Sequence, residues 1–339
     1  EMSFSDILLK LLSSPNIASK HWVFRQYDHE VGIRTVIKPG FDGSVLRLDN
    51  GKFLSVKIDG NPKHCYIDPR QGAIGCFEEA CRNVICTGAT PIGMVDHLQF
   101  GNPEDPEIFW TFMESIQGIT DFANFLNIPC VGGKVSFYNE TSDGPIKPTP
   151  LIGVLGLIDK YPLLPIPPSN NDVILLVGET KDELGGSEYY EYIHNFIGGI
   201  APKVDFSESK KNMNSVLSLI SKNLIKSIHD CSKGGLAIAI SELCIFGQIG
   251  CNVDLTSSLS FEKILFSESH SRYILVLDKN NLDTIKSILS DSGCSFSEIG
   301  IFYGDQIIFE SDSEEILKLR VDKAENNYLN SLGKIIQNG

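Results

Sequence analysis

The chain has 339 residues, 42% hydrophobic and 21% charged, with a formal net charge of −14 at pH 7. This is a globular composition, long enough for two domains of conventional size. The acidic balance excludes general nucleic-acid binding, which selects basic faces. No apolar run reaches the ~20 residues needed to span a bilayer, and no signal-peptide pattern precedes the first helical segment. Nine cysteines lack any C-x-x-C pair, and Cys76, Cys81 and Cys86 recur every five residues, on different faces of a helix. They read as small buried hydrophobes in a reducing, cytoplasmic setting. The opening Glu1-Met2 is read as an expression remnant or an internal cut, in keeping with a fragment.

Phe4, Ile7, Leu8, Leu11 and Leu12 follow one helix face, which Ser13-Ser14-Pro15-Asn16 stops. Short strands are expected at 35–37, 44–48 and 53–58, the last two joined by an Asn50-Gly51 hairpin turn. A helix follows from about Gly75 to Thr87, then a strand at 92–98. The long helix 106–126 has acidic Glu104, Asp105 and Glu107 at the positive end of its dipole. Strands are expected at 128–131 and 151–157. Four prolines between Lys160 and Asn171 rule out an ordinary helix or central strand. The expected division is therefore a first domain at 1–159 that includes the N-terminal helix, a Pro-rich linker at 160–171, and a second domain at 172–339.

The second domain opens with an apolar strand from Val173, and Leu184 to Tyr190 starts a helix. Further helices are expected at about 212–223, 236–246 and 281–290 and near 313–319, and strands at 273–277, 297–302 and 306–309. Strands and helices alternate without a strict βαβ rhythm, so the fold class is α+β.

Gly132-Gly133-Lys134-Val135-Ser136-Phe137-Tyr138-Asn139-Glu140 follows an apolar run. Glycines admit main-chain N–H groups to a phosphate, Lys134 adds a point charge, and Ser136 adds a hydrogen-bonding hydroxyl. By itself such a pair of glycines reads as an ordinary turn. Asp96 ends an apolar strand before a loop, where a turn-forming role is the simpler local reading. Asp230, Ser232, Gly234 and Gly235 open a helix that Ser232 would cap, leaving free N–H groups for phosphate. A plain capped helix fits that pattern equally well. Leu184-Gly185-Gly186-Ser187 offers a similar backbone nest. The histidines lack zinc spacing, and His229 is expected to orient a loop. There is no G-x-S-x-G elbow and no Walker motif.

The blocks Asp59-Gly60-Asn61-Pro62, Asp68-Pro69-Arg70-Gln71-Gly72-Ala73, Ala80-Cys81-Arg82-Asn83-Val84, Thr87-Gly88-Ala89-Thr90-Pro91 and Asp96-His97-Leu98-Gln99-Phe100-Gly101-Asn102-Pro103 precede the glycine pair in order. Over nearly its whole length the chain resembles the large subunit of the phosphoribosylformylglycinamidine synthases, purine-pathway amidoligases built from two duplicated halves. It looks like the second half. The resemblance implies an aminoimidazole-ribonucleotide-synthetase-like pair of domains, the first forming a barrel-like dimer core and the second an α/β sandwich. It also implies ATP and Mg²⁺ as cofactors, a cytoplasmic setting, and a reaction joining glutamine-derived ammonia to formylglycinamide ribonucleotide.

By the same resemblance Asp96 and Gly133 contact ATP and Ser136 the ribonucleotide, all three within the site of the other half. Many relatives carry asparagine where Lys134 stands; for Lys134 an ATP-phosphate role is expected and no metal role is transferred. The first half's Glu-Ser-His-Asn-His-Pro is here Lys57-Ile58-Asp59-Gly60-Asn61-Pro62, without histidine, and its Arg-Asp pair is Arg82-Asn83. This half is thus expected to have no catalytic residue of its own and, alone, no activity. An auxiliary nucleotide site is expected from Arg82, Asp230, Ser232, Gly234, Gly235, Glu268 and Ser269, with structural ADP open there and the metal ligands unassigned. Implied partners are the N-terminal half, a glutaminase subunit, a small bridging subunit and the nucleotide substrate; the isolated chain is expected to homodimerise through residues 31–158. A non-catalytic nucleotide-binding scaffold and a free-standing homodimeric synthetase or kinase are the alternatives.

Overall fold

The computed structural model describes residues 2–160 and 165–338. Tyr161 to Leu164 of the expected linker lie outside the described residues. The first sheet runs Thr35–Ile37, Ser44–Arg47, Phe53–Asp59, Thr149–Ile158, Thr90–Gln99, Cys130–Ser136 in spatial order. Gly51 takes φ +81° in the Asn50-Gly51 turn, which sets Ser44 opposite Val56 and Arg47 opposite Phe53. The last two strands are parallel, joined over one face of the sheet by helix Pro106–Leu126. Asp105 caps that helix by accepting from the Glu107 and Ile108 N–H groups, and Pro106 follows at its first position.

Helix Pro69–Cys86 is the centre of the molecule. Asp68 caps it, accepting from Gln71 N–H, and it starts six residues before the expected Gly75. The Asp68-Pro69 step supplies that start, since proline suits the first helical turn. The helix packs against the first sheet, helix Pro106–Leu126, helix Phe206–Ser221 and strand Ser227–Asp230, and is buried on all sides. It therefore carries Glu78, Glu79, Arg82 and Asn83 to the junction between the domains.

The second sheet runs Ser227–Asp230, Tyr273–Leu277, Val173–Val177, Phe296–Phe302, Cys251–Asp254, Gln306–Ser311, Glu314–Arg320. Both faces are covered, so period-two alternation splits its apolar residues between two cores. Val173, Leu175, Tyr273 and Leu275 pack with the central helix and first sheet; Ile174, Leu176, Ile274 and Val276 pack with helix Gly235–Gly247.

Three expectations are corrected here. The segment expected as a helix near 313–319 is strand Glu314–Arg320, in which Leu317 and Leu319 point inward between exposed Glu315, Lys318 and Arg320. Period two governs there, and the missed terminal helix Val321–Asn338 follows it. Leu184 to Ser187 forms no helix; helical structure is confined to Tyr189–Ile193, because Gly186 takes φ +67° and the chain at Gly185 presses on the Ile200 backbone. Finally, the N-terminal helix Phe4–Leu12 packs on the second domain, with Ile7, Leu8, Leu11 and Leu12 in its core. Its amphipathic face was legible, but the choice of sheet was not.

Candidate functional site

Asp96 sits in mid-strand, and Gly132 to Ser136 continue the neighbouring strand instead of forming a loop. This corrects the loop reading of both: the pairing Asp96–Gly133, His97–Lys134, Gln99–Ser136 extends the ladder through the glycines. The glycine at 133 has a steric reason, since an added Cβ there would strike the Asp96 carboxylate. Lys134 is exposed and makes no ion pair among the described residues. Ser136 Oγ bonds the Asn139 side chain at 3.3 Å, and Asn139 Nδ2 donates to Phe100 O at 2.9 Å. The strand Cys130–Ser136 is a sheet edge, exposed along nearly its whole length. Beside it, the sheet face away from the helices shows Ile58 (62% exposed), Val131 (63%) and Val95 (37%) to solvent.

The second location is a cavity of about 730 Å³ between the domains. Its apolar end includes Ile17, Phe24, Phe41 and Phe246; its charged end includes Lys57, Asp59, Glu79, Asn83, Asp230, Ser232 and Lys233. Of the seven residues expected for the auxiliary site, Asp230 and Ser232 line this cavity. Arg82 lies beneath it, fully buried and bonded to Glu78 and Asp230. Burial opposes ionisation of Glu78, but the Arg82 charge and His270 hold its pKa down to about 2. Arg82 thus orients Asp230 from beneath the cavity, while its buried Nε has no hydrogen-bond partner among the described residues.

Ser232 does not cap helix Gly235–Gly247, whose N-cap is Gly234 with φ +77°. The N–H of Gly234 donates to Glu268, 2.9 Å away. Gly235 has no room for a Cβ against the Ser267 and Leu265 carbonyls. Ser269 Oγ accepts from Lys181 N–H, turned away from the cavity.

Sequence reasoning passed over Asp42, Glu79, Lys233 and Glu242 and gave His229 only a loop-orienting role. His229 Nδ1 lies 2.7 Å from Asp42 Oδ1 and Nε2 lies 2.8 Å from Glu242 Oε2. Burial opposes its charge, yet Asp42 and Glu242 raise the His229 pKa well above the ordinary value. Asp42, His229 and Asp230 bring ligand atoms within 4.8 Å of one another. An imidazolium has no free lone pair, so His229 is unsuited to a metal. The oxygen groups Asp42, Asp59, Glu79 and Asp230 fit a hard divalent cation better. Burial and neighbouring Glu79 and Asp230 outweigh Lys57 and Lys233 and push the Asp59 pKa up to about 7. A cation or a basic ligand group at that point would relieve the crowding of negative charge. None of these side chains signals its role locally; only the junction of the two domains assembles them.

Residues 40–158 match the AIR synthase related protein N-terminal domain, and residues 169–311 the AIR synthase related protein C-terminal domain. The chain belongs to the AIR synthase related family. A phosphoribosylformylglycinamidine synthase subunit PurL from Pyrococcus horikoshii is 40% identical over 335 residues, covering 99% of this chain and 46% of that protein. The chain therefore spans about half the length of the curated relatives it matches. T. maritima PurL complexed with FGAR superposes with a TM-score of 0.77 at 18% identity, over 96% of this chain and 54% of that one. T. maritima PurL complexed with ATP gives 0.75 at 18% identity, over 96% and 52%. At that identity the structures establish the shared fold, an α+β pair of AIR-synthase-related domains. No helix among the described residues is long and apolar enough to cross a membrane.

Proposed function

We propose that this chain is the C-terminal half of a phosphoribosylformylglycinamidine synthase large subunit and completes the active site of the N-terminal half. One observation carries this reading. Asp96, Gly133, Lys134 and Ser136 share a pair of strands at an exposed sheet edge, outside the chain's own cavity, beside an uncovered apolar face. Groups so placed, Asp96 and Gly133 toward the helix side of the sheet and Lys134 and Ser136 toward its open side, flank an edge suited to a neighbour that docks there.

In the whole enzyme, the amide oxygen of formylglycinamide ribonucleotide attacks the γ-phosphorus of ATP and ADP leaves. Ammonia, supplied from glutamine by a glutaminase subunit docked with a small bridging subunit, adds to the activated carbon. Phosphate departs as the C–O bond breaks. Lys134 contributes positive charge near the ATP phosphates, Asp96 and the space at Gly133 help seat ATP, and Ser136 hydrogen-bonds the ribonucleotide. The chain's own cleft lacks, at the matching stretch, the histidines and the glutamate of the first half. Asn61 there caps the short helix Pro62–Ile67 by accepting from His64 N–H at 3.3 Å.

The interdomain cavity is proposed to hold ADP with Mg²⁺ as a structural ligand. Its aromatic end suits a base, and its lysines and crowded carboxylates suit phosphate and metal. When bound, the metal would neutralise phosphate and carboxylate charge; Asp42, Asp59, Glu79 and Asp230 are the residues that would hold it.

The reading is tested by mixing the chain with a separately produced N-terminal half and weighing the product by light scattering. A one-to-one complex is expected. Nucleotide released on denaturing the purified chain tests the cavity independently. If nucleotide is released but no complex forms, the chain is a binding scaffold.

A further inference from the structure

The second domain contains a small anion pocket outside the lining of the interdomain cavity, built on glycines and a glutamate that the sequence offered to a nucleotide. Two backbone nests meet in it. One follows Gly185-Gly186, where Gly186 has φ +67°; the other is Gly234-Gly235, with φ +77° and +70°. Their N–H groups, from Glu188 and Gly234, converge on a single atom, Glu268 Oε1, at 2.8 and 2.9 Å. The other carboxylate oxygen faces His64 of the first domain, whose Nε2 is 3.5 Å away. His64 is 3% exposed, and its Nε2 has no hydrogen-bond partner. Its Nδ1 meets Asn61 Nδ2 at 3.1 Å, and an amide nitrogen donates there. The imidazole proton is therefore on Nε2, aimed at Glu268. Lys63 and Lys233 bring positive charge nearby, Lys63 paired with Glu188 and Glu191 and Lys233 with Glu79.

We infer that the Glu188 and Gly234 N–H groups, with His64 Nε2, form an oxyanion pocket whose built-in occupant is the Glu268 carboxylate. The pocket takes small carboxylates as a class, and Glu268 fills it from within the chain. Two consequences follow from the geometry. The N–H groups that the glycine pattern offers to phosphate are already satisfied, so a nucleotide in the cavity relies on Lys57, Lys233 and Ser232 instead. Glu268 also ties three loops of the second domain to the first domain's His64, which makes it a positioning residue for the cavity wall at Ser232 and Lys233. Its segment is held independently, since Glu268 N–H donates to Glu183 O at 3.2 Å and Ser267 Oγ accepts from Glu183 N–H at 3.3 Å. Shortening the side chain therefore vacates the pocket without releasing the loop that bears it.

The test is chemical rescue. Glu268→Ala leaves two N–H groups and the imidazole around a space left by the carboxylate, with formate as the probe. Its thermal midpoint in buffer is expected to fall by roughly 5–10 °C. Formate is expected to restore at least half of that loss in a saturable way, as ligand linkage requires. Chloride at matched ionic strength restores none, and the unmodified chain gains nothing from formate beyond the chloride control. Glu268→Gln keeps a carbonyl oxygen in place, so it loses less and does not respond to formate. Should Glu268→Ala not fold in buffer, refolding yield in formate against chloride is read instead, with the same expectation. Equal effects of formate and chloride on Glu268→Ala, or an equal formate effect on the unmodified chain, overturn the inference. Formate rescue would stand even if the cavity bound no nucleotide, so the two ideas fail separately.

Discussion

Gly133 stands opposite Asp96 in the parallel pair, so close that a Cβ on residue 133 would overlap the Asp96 carboxylate. The absent side chain makes room for the acid. Gly133→Ala is expected to displace the Asp96 side chain while leaving the fold intact, because Gly133 lies on the edge strand. In enzyme reconstituted from two halves, ammonia-dependent ADP formation should fall at least ~10-fold, a barrier increase of about 1.4 kcal/mol. An unchanged rate with an unchanged melting point would contradict the placement of ATP against this pair.

Lys134 is the cation of that edge, exposed and unpaired among the described residues. Lys134→Met removes its charge while keeping much of its length. The KM for ATP in the reconstituted enzyme is expected to rise roughly 5- to 10-fold with a smaller change in kcat. An unchanged KM would count against a phosphate contact.

His229 joins the domains through Asp42 on one nitrogen and Glu242 on the other. Its folded pKa is raised, so its stabilising contribution is complete below the unfolded value near 6.5 and is lost as pH rises through the folded value. His229→Gln should therefore cost more at pH 6 than at pH 9. The difference grows by about 1.4 kcal/mol for every pH unit of that interval lying between the unfolded and folded pKa values. Urea unfolding of both proteins at the two pH values reads it directly. A cost that grows toward pH 9 would show that the imidazole is held neutral.

Asp59 carries the opposite sign. Its raised pKa, about 7, means that ionisation between the unfolded value and pH 7 opposes folding. Asp59→Asn should stabilise the ligand-free chain at pH 8 by about 1–2 kcal/mol and leave its stability at pH 4 little changed. The same variant should lose any melting-point gain produced by Mg²⁺ with ADP. Retention of that gain would remove Asp59 from the proposed cation site.

The bare face beside the edge strand predicts self-association. Ile58, Val95 and Val131 make an apolar surface next to unpaired backbone, an arrangement that a lone chain in water does not leave open. The isolated chain is expected to be dimeric by light scattering at micromolar concentration, and Val131→Asp to be monomeric with the same circular dichroism. A monomeric unmodified chain would contradict this.

Much of this was legible in local pattern. Asn50-Gly51 fixed a hairpin, Asp105-Pro106 opened the long helix, and the apolar run from Val173 read as a buried strand because both of its faces are covered. The edge cluster was readable only through ordered motif blocks, since Gly132-Gly133 in isolation resembles a turn and is in fact strand. What stayed hidden was tertiary. Asp42 and Glu242 are far apart in sequence and meet at His229, while Glu268 seals two glycine nests that looked open to phosphate. Long-range partners of buried charges leave no periodic trace. The segment Glu314–Arg320 was misread for another reason: its two inward leucines are too few to separate period two from period 3.6.

The most direct measurement of the central claim is ADP formation with formylglycinamide ribonucleotide, ATP and ammonia, comparing this chain alone, the N-terminal half alone, and the two together. Turnover only in the mixture, abolished by Asp96→Asn in this chain, is the expected result. Sustained turnover by this chain alone, or none in a mixture shown to assemble, would contradict the account.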